Sequence, residues 1–146
     1  MQQNPAPRLI LASGSVYRKE LLSRLRLPFE VMIPDVDETP APGETPQQTA
    51  ERLARDKAMA VARRAGEALV IGSDQVATLD GEQIGKPGDH ARALAQLQKM
   101  RGREVMFHTA LCVVDSRANS TMPLQADNVL TLVRFRDLPD HELDAY

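Results

Sequence analysis

The sequence contains no tryptophan, a single cysteine and only 3% aromatic residues, and its formal net charge is only −2. One cysteine, Cys112 in the apolar run Ala110–Val114, excludes an internal disulfide framework and a thiolate metal site. The weak net charge gives no basic footprint for nucleic acid. No segment approaches the roughly 18 consecutive apolar residues that span a bilayer. The start, Met1–Pro7, is polar and proline-rich, unlike a secretory signal, so we expect a cytoplasmic protein.

Residues 1–146, with 42% hydrophobic content, suffice for one packed domain. The pattern predicts the order strand, helix, strand, helix, hairpin, helix, strand, strand, helix. This order favours an α/β or α+β fold with a mixed, twisted sheet flanked by helices. Neither a P-loop nor a dinucleotide-binding glycine fingerprint is present in the sequence, so neither a kinase nor a dehydrogenase of those classes is supported.

An acidic residue, Asp74, interrupts the most apolar strand pattern of the chain. Leu69–Ile71 reads as a buried strand, Val76–Leu79 as its continuation, and Asp80–Gly81 as a hairpin turn. A carboxylate in such a strand must be hydrogen-bonded, near the surface, or opposite a cation. Asp74 is therefore either a structural strand-end acid or a member of a site.

A small-residue loop, Ser13-Gly14-Ser15, joins the predicted strand Arg8–Ala12 to a helix with an apolar side of Val16, Leu21, Leu22 and Leu25. Free N–H groups at a helix start suit a phosphate, and Arg18 in the first turn could add a forked cation. The same pattern also opens helices whose serines act only as caps.

Further charged groups follow at loops and strand ends. An acidic loop containing Glu38 follows the predicted strand Phe29–Ile33; it is either a solvated loop or a source of oxygen ligands for a cation such as Mg²⁺. Lys86 is held between a glycine and a proline. Lys57 lies in a helix that begins at Thr45 with a capping-box pattern, and by itself it would be an ordinary surface lysine. The residues alone indicate a possible nucleotide phosphate hydrolase. A third helix is predicted at about 89–101, two strands at 104–114 and 128–136, and a last helix from residue 140.

Five segments in order resemble the Maf family of nucleoside triphosphate pyrophosphatases. They are LASGSVYRKELL at 11–22, VDE at 36–38, ARDKA at 54–58, GSDQV at 72–76 and GKP at 85–87. The resemblance implies a two-lobed fold with a cleft, like that of the Maf and inosine triphosphatase proteins. The SDQV form with an aromatic residue before Arg18 resembles the branch that hydrolyses 7-methyl-GTP to 7-methyl-GMP and pyrophosphate.

The resemblance also implies roles for nine residues. Asp74, Glu38, Lys57 and Lys86 would be catalytic, with Glu38 and Asp74 also holding Mg²⁺ or Mn²⁺. Ser13, Ser15, Arg18, Tyr17 and Gln75 would bind the substrate, the last two discriminating among bases. Tyr17 could instead pack under the first helix.

The family comparison leaves two other functions open: a dTTP and UTP pyrophosphatase, or a non-catalytic nucleotide-binding regulator of septum formation. A nucleoside triphosphate is the expected partner, and the family suggests a homodimer; nucleic acid and membrane are not expected. Because the family continues for several tens of residues, residues 1–146 are expected to be one Maf-like domain without its C-terminal part.

Overall fold

The computed structural model describes residues 6–85, 87–121 and 123–145. The elements, in chain order, are β1 (Leu9–Ala12), α1 (Val16–Ser23), β2 (Glu30–Met32), α2 (Pro46–Ala65), β3 (Leu69–Leu79), β4 (Glu82–Ile84), α3 (His90–Met100), β5 (Glu104–Asp115), β6 (Leu124–Arg134) and α4 (Asp140–Ala145). The predicted order of elements is confirmed. Within the described ranges, no helix is long and apolar enough to cross a membrane.

The strands form a mixed sheet in the order β2-β1-β3-β5-β6, with β4 paired to β3. β1 runs parallel to both β2 and β3, whereas β5 is antiparallel to β3 and β6. The turn between β3 and β4 uses positive φ at Asp80 (52°) and Gly81 (82°), as predicted for this pair. The predicted mixed α/β sheet is therefore confirmed.

Two successive parallel crossovers run in opposite directions along the sheet. From β1 the chain passes through α1 to β2 on one side, and from β2 it passes through α2 to β3 on the other side of β1. Because such crossovers are right-handed, α1 and α2 lie on opposite faces of the sheet. We call these the α1 face and the α2 face.

Two apolar clusters cover different halves of the long strands. On the α2 face, α2 packs on β1, β3 and β5 through Ile10, Val61, Val70 and Cys112, all buried. On the other face, α3 packs on the distal ends of β3 and β5 through Leu79, Met100 and Val105. Since side chains alternate along a strand, β3 contributes Val70 and Val76 to the first cluster and Ala77 and Leu79 to the second. Asp74 lies between Val70 and Val76, on the α2 face.

Helix α2 approaches β3 most closely at Gly72. A Cβ atom on Gly72 would lie 2.2 Å from the Ala54 carbonyl oxygen and 2.7 Å from the Ala58 nitrogen. Both are backbone atoms of α2, so a flexible side chain cannot relieve the clash. Only glycine permits this spacing between helix and strand.

Two sequence-based expectations are wrong. Helix α1 ends at Ser23, so Leu25, which the pattern placed on its apolar side, lies beyond the helix. The helix buries none of its residues; Val16 is 76% exposed. Strand β6 begins at Leu124 rather than at residue 128 and ends at Arg134. Residues 124–127 were predicted to belong to a polar connection, but they pair with β5, Val114 lying opposite Leu124, and this pairing overrides their weak local strand pattern.

An ion pair attaches the loop after β2 to α2. Arg52 Nε donates to Glu44 Oε2 at 2.6 Å, and the Thr49 hydroxyl donates to Glu44 Oε1 at 2.7 Å. The Arg52 guanidinium, followed by hydrogen bonds from Ala41 and Thr49, lowers the pKa of Glu44 from 4.5 to about 2. The predicted N-cap of α2 is confirmed beside this pair, because Thr45 and Gln48 form a reciprocal capping box.

We expect Gly72→Ala to destabilise the fold by at least about 1–3 kcal/mol, the scale of overpacking in a tight core. Urea denaturation measures the effect. Gly85→Ala is the matched control, because a Cβ there meets nothing within 4 Å and its φ is not positive. Equal urea midpoints for the two variants would contradict the close packing.

The Glu44 pair also predicts an acid-dependent stability. The folded pKa is lowered, so the stabilisation is complete above the unfolded value of about 4.5 and is lost as the pH falls towards 2. Glu44→Gln should lower the unfolding midpoint at pH 7 and reduce the loss of stability between pH 4.5 and pH 2. Glu51→Gln, on an exposed part of α2, is the control and should leave that slope unchanged; an unchanged slope in Glu44→Gln would refute the role of the pair.

Candidate functional site

The predicted site residues gather where the direction of the sheet topology reverses. Strand order reverses between β1 and β3, and ligands of open α/β sheets bind outside the carboxyl ends of the strands at such a point. β1 ends at Ala12, which lies beside Gly72. Ser13 follows on one strand and Asp74 lies two residues further along the other, so both stand at this edge.

A buried ammonium group joins two carboxylates at this edge. Lys57 Nζ lies 3.0 Å from Asp74 Oδ1 and 2.7 Å from Glu38 Oε1. The side chains of Lys57 and Asp74 are 9% and 11% exposed, whereas that of Glu38 is 60% exposed. The family resemblance singled out these three residues, which are far apart in the chain, and the fold brings them together. Asp74 therefore has a buried cation as its partner.

Each member of this cluster is held by a different element. Asp74 lies on β3 two residues after Gly72, so its side chain points to the same α2 face. Because α2 approaches β3 closely at Gly72, the helix covers Asp74 as well. Lys57 lies on the buried side of α2, next to Ala58. Glu38 comes from the loop after β2. The cluster thus ties sheet, helix and loop to one point.

The serine loop forms the start of α1. Ser15 caps the helix, its hydroxyl accepting from the Arg18 N–H at 3.3 Å, and the Ser13 hydroxyl accepts from the Ser15 N–H at 3.0 Å. Ser13 is 3% exposed. Both hydroxyls act as acceptors in these contacts, so each still has a proton to donate to an anion. The cap is confirmed, and the arrangement remains compatible with phosphate.

The two residues predicted to discriminate bases lie on the other face of the strand. Gln75 follows Asp74 directly, so its side chain points to the α1 face. There its Nε2 donates to Thr109 Oγ1 of β5 at 2.9 Å. Tyr17 of α1 is 82% exposed and does not pack under its helix. Both side chains are accessible on the α1 side of the sheet.

Lys86 lies outside the described residues, so its predicted role is not examined by the structure. Thr109 was missed by the sequence analysis. A threonine in a strand carries no local signal, and its contact with Gln75 depends on the pairing of β3 with β5, which places residue 75 opposite residue 109.

The donor set at this edge suits a hard cation only when other ligands are added. Glu38 and Asp74 supply carboxylate oxygens, and their contacts with Lys57 show that a positive charge is accommodated between them. In the part of the chain that the structure describes, no group of three or more His, Cys, Asp or Glu side chains could hold a metal ion. Mg²⁺ is commonly bound by one or two carboxylates together with substrate phosphates and water, which these residues fit.

We expect Lys57→Met to lower the free energy of unfolding by up to about 3 kcal/mol, because it leaves the Asp74 carboxylate buried without its cation. Adding Asp74→Asn should recover part of that loss, since the amide carries no charge. Urea denaturation of the wild type, both single variants and the double variant gives the coupling between the two positions. Strictly additive effects would show that the 3.0 Å contact contributes nothing to stability.

Comparison with known proteins identifies the family to which these features belong. A family model described as Maf-like protein matches residues 8–146. The chain is 66% identical over 140 residues to the 7-methyl-GTP pyrophosphatase of Ralstonia nicotianae, a match that covers 96% of this chain and 71% of that protein. It is 65% identical over 146 residues to the 7-methyl-GTP pyrophosphatase of Paraburkholderia xenovorans, covering 98% of this chain and 70% of that protein.

A solved structure shares the fold at lower sequence similarity. A HAM1 protein from Coxiella burnetii superposes with a TM-score of 0.61 at 18% identity, covering 92% of this chain and 75% of that one. This likeness concerns the fold alone, whereas the family model and the relatives extend over nearly the whole chain. The chain belongs to the Maf family.

Proposed function

We propose that this protein is a nucleotide pyrophosphatase that hydrolyses 7-methyl-GTP to 7-methyl-GMP and pyrophosphate. The observation that carries the proposal is the Glu38, Lys57 and Asp74 cluster at the switch point of the sheet. The proposal is also supported by the 66% identity of this chain to a relative that is named 7-methyl-GTP pyrophosphatase. The hydrolysis removes a modified nucleotide from the pool.

Asp74 acts as the general base on the attacking water. Its Oδ1 is held by Lys57 at 3.0 Å, which leaves Oδ2 to accept the water proton. The water oxygen forms a bond to the α-phosphorus, the bond from that phosphorus to the bridging oxygen breaks, and pyrophosphate leaves. Burial of Asp74 at 8% exposure keeps bulk water away from this carboxylate.

The cations stabilise the charge that develops on the leaving group. Lys57 contacts Asp74 and Glu38 with its ammonium, whose third proton can be donated to a phosphate oxygen when substrate enters. Arg18, at the start of α1, adds a second cation, and Lys86 a third. Ser13 and Ser15 donate their hydroxyl protons to phosphate oxygens beside them.

Glu38 and Asp74 would hold the divalent cation, Mg²⁺ or Mn²⁺, together with phosphate oxygens of the substrate. When bound, the cation neutralises charge on the phosphates and polarises the phosphorus towards attack. Glu38, with a side chain that is 60% exposed on a loop, would supply one carboxylate oxygen to the cation beside its contact with Lys57.

Selection of the modified base depends on Tyr17 and Gln75. The 7-methylguanine ring carries a delocalised positive charge, and an aromatic face attracts such a cation by about 0.5–2 kcal/mol. Tyr17 is 82% exposed and therefore available for stacking. Gln75 offers both a donor and an acceptor to a base edge. We also place the enzyme in the cytoplasm, where nucleotides are made; a homodimer remains a prediction from the family.

We expect Asp74→Asn to reduce turnover of 7-methyl-GTP by at least about 10²-fold, because the amide keeps the shape but cannot take the water proton. Pyrophosphate release in the presence of Mg²⁺ or Mn²⁺ measures the change. Asp56→Asn is the matched control: Asp56 lies on α2 next to Lys57 but pairs with Arg52 at 3.3 Å. It should keep near-normal turnover.

The same assay with GTP, dTTP and UTP separates the proposed activity from a dTTP and UTP pyrophosphatase and from a non-catalytic regulator. Preferential hydrolysis of dTTP and UTP would move the protein to the other branch of the family. Nucleotide binding without pyrophosphate release from any of them would favour a non-catalytic regulator. Near-normal turnover in Asp74→Asn would rule out the proposed base.

A further inference from the structure

The amide of Gln75 is held although the side chain is exposed. Exposed glutamines usually sample several rotamers, and ordering one costs up to about 2 kcal/mol of side-chain entropy. Here Gln75 Nε2 donates to Thr109 Oγ1 at 2.9 Å across the β3–β5 pair. The contact fixes the end of the side chain before any ligand arrives.

Thr109 is suited to this role by its position and its chemistry. It lies directly opposite Gln75, and β5 is paired on both sides, with β3 and with β6. Its branched Cβ restricts rotation about χ1, so the hydroxyl position is set by the strand. With one Nε2 proton committed to Thr109, the second proton and the Oε1 of Gln75 point to other partners. The pair thus presents a donor and an acceptor in one orientation.

The surroundings of this pair fit a flat ring. Val129 of β6 lies opposite Thr109 in the same cross-strand row, and it is 58% exposed. Leu111, two residues from Thr109 on the same face, is 45% exposed. These apolar side chains flank the amide on the α1 face. Asp74, the preceding residue of β3, points to the opposite α2 face. The β1 pairing ends at Gly72 and the β4 pairing begins at Ala77, so a nucleotide whose base lies here reaches the carboxylate around the β3 edge between them.

We propose that Thr109 is a positioning residue for base selection: it orients the Gln75 amide towards the edge of the purine without touching the phosphates. The inference rests on the proposed function, because it concerns the same substrate, and it adds a residue to which no role has been given. It places selectivity on a hydrogen bond between two strands rather than on a flexible loop.

The experiment compares Thr109→Val with Thr109→Ser in steady-state pyrophosphate release. Valine keeps the branched shape and removes the hydroxyl, whereas serine keeps the hydroxyl. For Thr109→Val we expect KM for 7-methyl-GTP to rise about three- to tenfold, the range that one ordinary hydrogen bond provides, with kcat within about twofold of the wild type. Thr109→Ser should restore most of the affinity. The KM for UTP should change little in either variant.

A double variant tests whether Thr109 acts through Gln75. In a Gln75→Ala background, Thr109→Val should cause no further change in KM, because the group that it positions is gone. Thr131→Val, an exposed threonine of β6 on the same face, is the matched control and should keep wild-type kinetics. Urea midpoints of all variants exclude a general loss of folding.

The outcomes separate this inference from the proposed function. If the wild type hydrolyses 7-methyl-GTP and Thr109→Val keeps its KM, or loses kcat equally on every nucleotide, the positioning role is overturned and the proposed function stands. If the wild type releases no pyrophosphate from any nucleotide, both are overturned. The role is established if Thr109→Val raises the KM for 7-methyl-GTP alone, Thr109→Ser restores it, and Thr109→Val has no effect in the Gln75→Ala background.

Discussion

The ammonium of Lys57 between two carboxylates is the interaction on which the rest of the site depends. Each charge taken from water costs several kcal/mol, so the cluster forms only if the fold supplies all its members together. They come from a loop, a helix and a strand: Glu38, Lys57 and Asp74. The partial exposure of Glu38 lowers the desolvation cost of its carboxylate, whereas the Asp74 carboxylate stays buried. The arrangement holds the Asp74 carboxylate in the interior without leaving its charge unpaired.

Backbone packing sets the dimensions of this cluster. Gly72 lets α2 lie against β3 at a distance that no other residue type permits. Lys57 and Asp74 are each close to that contact, one on the helix and one on the strand. Their 3.0 Å separation is therefore a consequence of helix-to-sheet packing rather than of side-chain adjustment alone.

Local patterns in the sequence predicted most of the elements. The turn at Asp80–Gly81, the capping box at Thr45 and the apolar run of β3 each carry their signal within a few residues, and each was confirmed. The start of β6 was misplaced because pairing with β5 decides it. The exposure of α1 could not be predicted, because periodicity shows which side of a helix is apolar, not whether another element covers it.

The candidate site was only partly predictable for the same reason. An acid in an apolar strand is visible in the sequence, so Asp74 could be singled out from its surroundings. Nothing local links it to Lys57 or Glu38; that grouping came from resemblance to a family, and the fold brings the three side chains into contact. Neither approach found Thr109, because its contact with Gln75, on which its proposed role rests, depends on the register of two strands.

The alternation of Asp74 and Gln75 across β3 has an evolutionary consequence. The residue proposed for the chemistry and the residue proposed for base choice are chain neighbours, yet they face opposite sides of the sheet and have different partners, Lys57 and Thr109. A substitution at position 75 can therefore alter which nucleotide is accepted while the neighbouring carboxylate keeps its environment. An insertion or deletion of one residue in this strand would instead exchange the two faces and disable both at once. This strand can therefore change by substitution, whereas a change in its length is not tolerated.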